Sequence, residues 1–265
     1  MIAEAPLPFS IECRPPLLVT RFATPQRMLS WSITRPGFVT AEAVAWLEVR
    51  DADLPIGTDP VALLDQTLAH AGLGAAVGLM TACDLRSHRL AQDEVDGVVA
   101  TVVTTVGLTN GEFVGRRRDH PRGRDTHAFG TINTLVHVSV PLSQVALLEA
   151  SSVATQARTV AVLEATMRRG SDVITGTGTD CIVVAAPVGA DPAPYAGLHT
   201  AIGEAIGSAV LTATRGAVAR WFAAQTRPPR ALDGAAPKRR AAVTAEPACV
   251  GGPVAALGSR RERVP

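Results

Sequence analysis

The chain has 265 residues, enough for one large or two small domains with a substantial core. Hydrophobic residues make up 47% but aromatics only 4%, so alanine and valine must fill the interior. The formal net charge of +1 divides into a mildly acidic body and a basic tail that carries Arg227, Arg230, Lys238, Arg239, Arg240, Arg260, Arg261 and Arg263. Such a balance argues against nucleic acid as the main partner. The only lysine, Lys238, sits in that tail. A Schiff-base lysine, a serine–lysine pair and a phosphate-loop lysine are therefore excluded from the body.

Cys13, Cys83, Cys181 and Cys249 are scattered, with no CxxC spacing. Reduced thiols in a cytoplasmic protein fit this pattern better than a disulfide framework, and no metal site is expected. The N-terminus reads MIAEAPLPFSIEC, without the basic start of a signal peptide. No apolar run reaches the ~20 residues of a membrane span.

Residues 1–16 read as an irregular lead-in. Short β-rich pieces follow between Leu17 and Leu47, with turn signals at Ala23-Thr24-Pro25 and Arg35-Pro36-Gly37. A helix begins where Asp59 can cap and Pro60 can take the first position, with Val61, Leu64, Leu68 and Ala71 on one face. Ala75 to Ala82 predicts a buried strand. Gly97 to Gly107 is β-branched throughout, and the Asn110-Gly111 pair after it predicts a hairpin turn. The arginine-rich stretch from Arg116 to Asp125 reads as a solvated loop, with recognition of a phosphate or carboxylate as its functional reading.

Gly130 to Val140 predicts a strand with Thr131, Asn133, His137 and Ser139 on one face and Ile132, Val136 and Val138 on the other. Pro141 ends it, Ser143 can cap a long helix, and Arg168-Arg169-Gly170 closes that helix. A glycine–threonine turn, Gly176 to Asp180, then leads into an apolar strand from Cys181 to Ala186. A loop delivers His199 and Glu204 to a last helix that is expected to end near Trp221 or Phe222. This string predicts an α/β or α+β protein: mixed β-sheet layers covered by a few long helices in one compact domain, 17–225. Residues 226–265 read as a disordered tail rich in proline, alanine and arginine.

Threonines, an aspartate and a histidine gathered at glycine-rich bends read as a site. Asp180 is a candidate base, or an orienter of His199, and otherwise a turn aspartate bonded to nearby amides. His199 and Glu204 are candidate acid–base groups. Five positions on a helix differ in direction by ~140°, so both reach one site only if His199 precedes the first full turn. Asn133 is a candidate oxyanion donor. Thr177, Gly178, Thr179, His137 and Asn110 form the candidate substrate-binding set. The Gly130-Thr131 junction also admits an N-terminal nucleophile exposed by self-cleavage, although one dipeptide is thin support. Cys83 and Cys181, in apolar strand contexts, read as inert core thiols.

Six segments occur in this order: AVGLMTACDLR (Ala76 to Arg86), VVTTVGLTNG (Val102 to Gly111), GTINTLVHVSVPLS (Gly130 to Ser143), SSVATQARTVAVLE (Ser151 to Glu164), ITGTGTDCIVVAAP (Ile174 to Pro187) and YAGLHTAIGEAIGSAV (Tyr195 to Val210). Together the chain resembles the adenosylcobinamide amidohydrolases of corrinoid salvage over roughly Leu29 to Trp221. The GTGTD turn combined with the H-x-x-x-G-E helix is the specific part. The resemblance implies hydrolysis of adenosylcobinamide to adenosylcobyric acid and aminopropanol, which returns an incomplete corrinoid to cobalamin assembly. It also implies that the adenosylated corrinoid is the substrate and not a resident cofactor. Many members carry glutamate where Gln156 stands. Homo-oligomerisation is compatible with the sequence. The competing reading is a non-catalytic corrinoid or nucleotide carrier whose glycine–threonine turn cradles a phosphate.

Overall fold

The structure is a computed structural model, and it describes residues 6–226 except 56, 117–129 and 171. The expectation for the tail therefore lies outside the described residues, as does most of that for the Arg116–Asp125 loop.

The expected irregular lead-in holds a strand instead. β1 (Phe9–Arg14) pairs antiparallel with β2 (Leu17–Ser30), Phe9 opposite Phe22. β2 is one long strand where two short pieces were expected. Its pairing with β3 (Gly37–Glu48) shifts register between Arg21 and Gln26, where the Ala23-Thr24-Pro25 signal falls.

Asp59 caps α1 (Pro60–His70): its carboxylate accepts from the Val61 N–H at 2.9 Å, and Pro60 takes the first position. β4 (Val77–Thr81) returns parallel to β3.

A strand that the sequence reading passed over comes next. β5 (Arg89–Val95) forms a hairpin with β6 (Val98–Val106) around Asp96 and Gly97, whose φ values are +49° and +79°. Two consecutive positive φ values are what a tight primed turn demands. The hairpin turn is therefore Asp96-Gly97 and not Asn110-Gly111. Gly111 opens β7 (Gly111–Glu112), which pairs with β9 (Gly176–Thr177).

β8 (Ile132–Val138) runs antiparallel to β6 and parallel to β10 (Cys181–Pro187), with Asn133 opposite Cys181. Between them lies α2 (Gln144–Arg169), capped by Ser143 and closed by Gly170 at φ +63°. α3 (Ala201–Gln225) starts with Thr200, whose hydroxyl accepts from the Gly203 N–H at 3.0 Å.

The described residues form a mixed α/β domain with an eight-stranded sheet and three α-helices. The sheet runs β4-β3-β2-β10-β8-β6-β5, with β1 on β2. α2 and α3 bury alanine-rich stripes (Ala146, Ala150, Ala154, Ala205, Ala209) against Val102, Val136, Ile182 and Val184 on one sheet face. Small side chains let these helices approach closely, consistent with the scarcity of aromatics. α1 covers Ala43, Ala45 and Leu47 elsewhere. The remaining face carries Leu18, Phe22, Trp46, Leu79, Leu135 and Val183, all buried together in one cluster drawn from strands in both halves of the sheet. The sheet bends over far enough to bring β4 against β8, four places away in the strand order, so that the two ends of the sheet enclose these side chains. This two-walled interior is open at one end, and the candidate site lies there.

Candidate functional site

Because β8 and β10 are parallel and aligned, the residues just before each strand reach the same edge. Thr131 and Ile132 therefore meet Thr179 and Asp180. The Thr131 hydroxyl donates to the Thr179 carbonyl at 2.8 Å, and the Ile132 N–H donates to Asp180 Oδ1 at 3.1 Å. From the facing wall, the Met80 carbonyl accepts from Asn133 Nδ2 at 2.7 Å, joining β4 to β8. The Ser32 hydroxyl donates to the Gly78 carbonyl at 2.6 Å.

These groups line a cavity of about 390 Å³, within the usual size range of small-molecule sites. Ser32, Thr81, Thr131, Asn133, Thr179 and Asp180 give it polar groups, while Trp31, Ile33, Val49 and Leu54 give it an apolar side. Trp31 is 43% exposed and Ile33 52% exposed, so the apolar side continues to the surface.

Asp180 is the most heavily engaged group. Its side chain is 8% exposed and meets Arg158 of α2, equally buried, in an ion pair. It also accepts from the Thr177 N–H at 3.0 Å and from the Thr177 hydroxyl. Gly176 is needed underneath, because a Cβ there would run into both Arg158 and Asp180. The glycine–threonine turn is thus built around a neutralised carboxylate. Buried charges persist only when paired and hydrogen-bonded, and Asp180 meets both conditions.

The other expected residues are dispersed. His199 and Glu204 follow the far end of β10; this seven-residue strand separates its two ends by about 20 Å at ~3.3 Å per residue. Both side chains are exposed, and neither lines the cavity. Glu204 lies in the first turn of α3, where a carboxylate favours the helix dipole. His137 shares the Asn133 face but sits deeper, 4% exposed, with ring centroids 5.4 Å from Phe22 and 6.4 Å from Phe9. Burial alone pulls its pKa down to about 4. Asn110, in the turn between β6 and β7, and the exposed Gly178 are outside the lining, whereas Thr179 is exposed and part of it. Gln156 is on the exposed side of α2, bonded to Ser152 at 3.3 Å. Cys181 lines the cavity, but burial pushes its thiol up to about 12, which leaves little thiolate.

Arg158, Ser32, Thr81 and Trp31 escaped the sequence reading. Arg158 had a signal: it falls at helical spacing with Leu147, Ala154 and Ala161, a lone cation in a buried stripe. The facing-wall residues had none, since their approach depends on the fold-over of the sheet. Among the described residues, no group of three or more His, Cys, Asp or Glu side chains is placed to hold a metal ion. No described helix is long and apolar enough to cross a membrane.

The model of the family described as adenosylcobinamide amidohydrolase matches residues 5–226, a span that takes in every described residue. The chain belongs to the adenosylcobinamide amidohydrolase family. Membership marks it as a hydrolase of amide bonds. Among curated proteins none matches by sequence. The solved structures that are distantly similar include these two. One is the PH0078 protein from Pyrococcus horikoshii OT3, at 13% identity and a TM-score of 0.40, covering 80% of this chain and 79% of that one. The other is a Burkholderia sp. beta-aminopeptidase, at 12% identity and a TM-score of 0.40, covering 78% of each chain.

Proposed function

We propose that this amidohydrolase cleaves the aminopropanol amide of adenosylcobinamide, giving adenosylcobyric acid and aminopropanol, and that it does so in the cytoplasm as a step in corrinoid salvage. The observation that carries the reading is the cavity itself, polar inside and apolar toward the surface. A corrin macrocycle is too large for about 390 Å³, whereas one amide-bearing arm of its periphery is not. The arm enters between β4 and the starts of β8 and β10. The flat apolar ring rests outside, on Trp31 and Ile33.

Inside, Asn133 is the carboxamide reader. Its Nδ2 is held by Met80, and its Oδ1 is left facing the Thr131 hydroxyl at 3.4 Å. The Arg158–Asp180 pair fixes the Thr177–Thr179 backbone and so positions the Thr179 carbonyl against Thr131. The adenosylated corrinoid, with its own cobalt, is substrate in this scheme.

The test is incubation of the purified chain with adenosylcobinamide, with products resolved by mass spectrometry. Release of aminopropanol in step with adenosylcobyric acid supports the reading. Tight corrinoid binding by absorption spectroscopy, with neither product, replaces it with a carrier.

A further inference from the structure

Amide hydrolysis needs a nucleophile and a base to take its proton. Among the described residues that line the cavity there is no histidine, lysine or glutamate. The one carboxylate, Asp180, already accepts from Arg158, Thr177 and the Ile132 amide. The one thiol, Cys181, is held protonated by burial. Hydroxyls remain, and they lack a base.

Resting on the amide-hydrolase reading, we propose that Thr131 is an N-terminal nucleophile, exposed when the chain cleaves its own Gly130–Thr131 bond. Cleavage places an α-amine beside the Thr131 hydroxyl, inside the cavity, and an α-amine titrates close enough to neutrality to act as the missing base.

Three observations converge on this bond. Thr131 is 5% exposed, and its hydroxyl is anchored by the Thr179 carbonyl at 2.8 Å with Asn133 Oδ1 as a second acceptor at 3.4 Å. Gly130 lies so close to the connection that follows β6 that a Cβ would stand 2.8 Å from the Gly107 carbonyl and 2.9 Å from the Thr109 nitrogen. The glycine is thus a steric requirement of the junction. Downstream, the Thr131 carbonyl accepts from the Gly107 N–H at 2.9 Å and the Ile132 N–H is held by Asp180. A new N-terminus at Thr131 would stay pinned where it forms.

The bonds balance with water alone. Thr131 Oγ1 attacks the Gly130 carbonyl carbon, and the carbon–nitrogen bond breaks as the hydroxyl proton passes to the departing nitrogen. Water then hydrolyses the ester that links Gly130 to Oγ1. The products are a Gly130 carboxylate and a free Thr131 amine and hydroxyl. In turnover the amine takes the Oγ1 proton, Oγ1 attacks the substrate amide, and aminopropanol leaves with a proton. Water then releases the corrinoid acid from Oγ1. The two pieces remain one body, because β8 and β10 of the second piece lie in ladders with β6 and β2 of the first.

The experiment is intact-mass spectrometry of the full-length chain under denaturing and native conditions, followed over time and compared with Thr131→Ala, Thr131→Ser and Thr131→Val. The expected result is two pieces that end at Gly130 and begin at Thr131, travelling together natively. Thr131→Ser should yield the same pieces, and the two other variants should stay whole while keeping the wild-type circular dichroism. A wild-type chain that stays whole overturns the proposal whether or not it hydrolyses amides. So does a Thr131→Ala chain cut at the same bond, which would indicate a contaminating protease. Cleavage without adenosylcobinamide turnover supports the self-cleavage and removes only the choice of substrate.

Discussion

Arg158 in the middle of α2 and Asp180 at the start of β10 form an ion pair in which each side chain is 8% exposed. The pair ties the back helix to the rim of the cavity. Breaking one partner leaves an uncompensated buried charge, so Arg158→Met should cost about 3–5 kcal/mol. Replacing both, as Arg158→Met with Asp180→Leu, should cost clearly less than the sum of the single changes, because neither charge is then stranded. Urea unfolding of the four members of this cycle measures the coupling.

In the proposed binding mode, Trp31 bears on substrate binding and not on chemistry. If the corrin ring rests on it, Trp31→Ala should raise KM for adenosylcobinamide about tenfold with kcat nearly unchanged, the signature of lost uniform binding. Steady-state kinetics would show this. A fall in kcat at constant KM would put Trp31 in the reacting geometry instead.

His137 makes stability depend on pH. Its pKa is about 4 in the folded chain against an ordinary 6.5. Between those values the unfolded chain binds the proton and the folded one does not, so stability falls as pH drops through this window. Above pH 6.5 the contribution is complete. The span corresponds to about 3 kcal/mol. His137→Phe should flatten the acid limb of stability between pH 6.5 and 4, read from urea midpoints at several pH values.

His199 and Glu204 supply a contrasting test. They lie exposed beyond the far end of β10, so His199→Ala and Glu204→Ala should each keep hydrolysis within about twofold of wild type. Asn133→Ala should abolish most of it. It removes the carboxamide from the cavity and also leaves the Met80 carbonyl without its donor, at about 1–3 kcal/mol of stability.

Local chemistry made the helices legible. Asp59, Ser143 and Gly170 do what their residue types favour at helix ends. Asn110-Gly111 misled because dipeptide preference is only a propensity, and tertiary pairing with β9 overrides it. β5 escaped notice because Arg89–Val95 is an edge strand of mixed polarity, with little apolar alternation to detect. Around the site, the Gly176–Asp180 turn and the Thr131–Asn133 face were legible as polar groups at bends. Their meeting was not, since it follows from parallel pairing of strands nearly fifty residues apart. His199 and Glu204 lie away from the cavity for a different reason. Nearness in sequence to Asp180 hides the length of the strand between them.

One strand, β2, runs through both walls of the interior, first beside β1 and then beside β10. The walls are therefore parts of one continuous sheet, and the irregular pairing with β3 between Arg21 and Gln26 falls between these two stretches of β2. Ala23, Thr24 and Pro25 are not among the residues that line the cavity. Substitutions at that irregularity are expected to alter how wide the cavity stands, and with it the size of substrate arm admitted, without altering a reacting group.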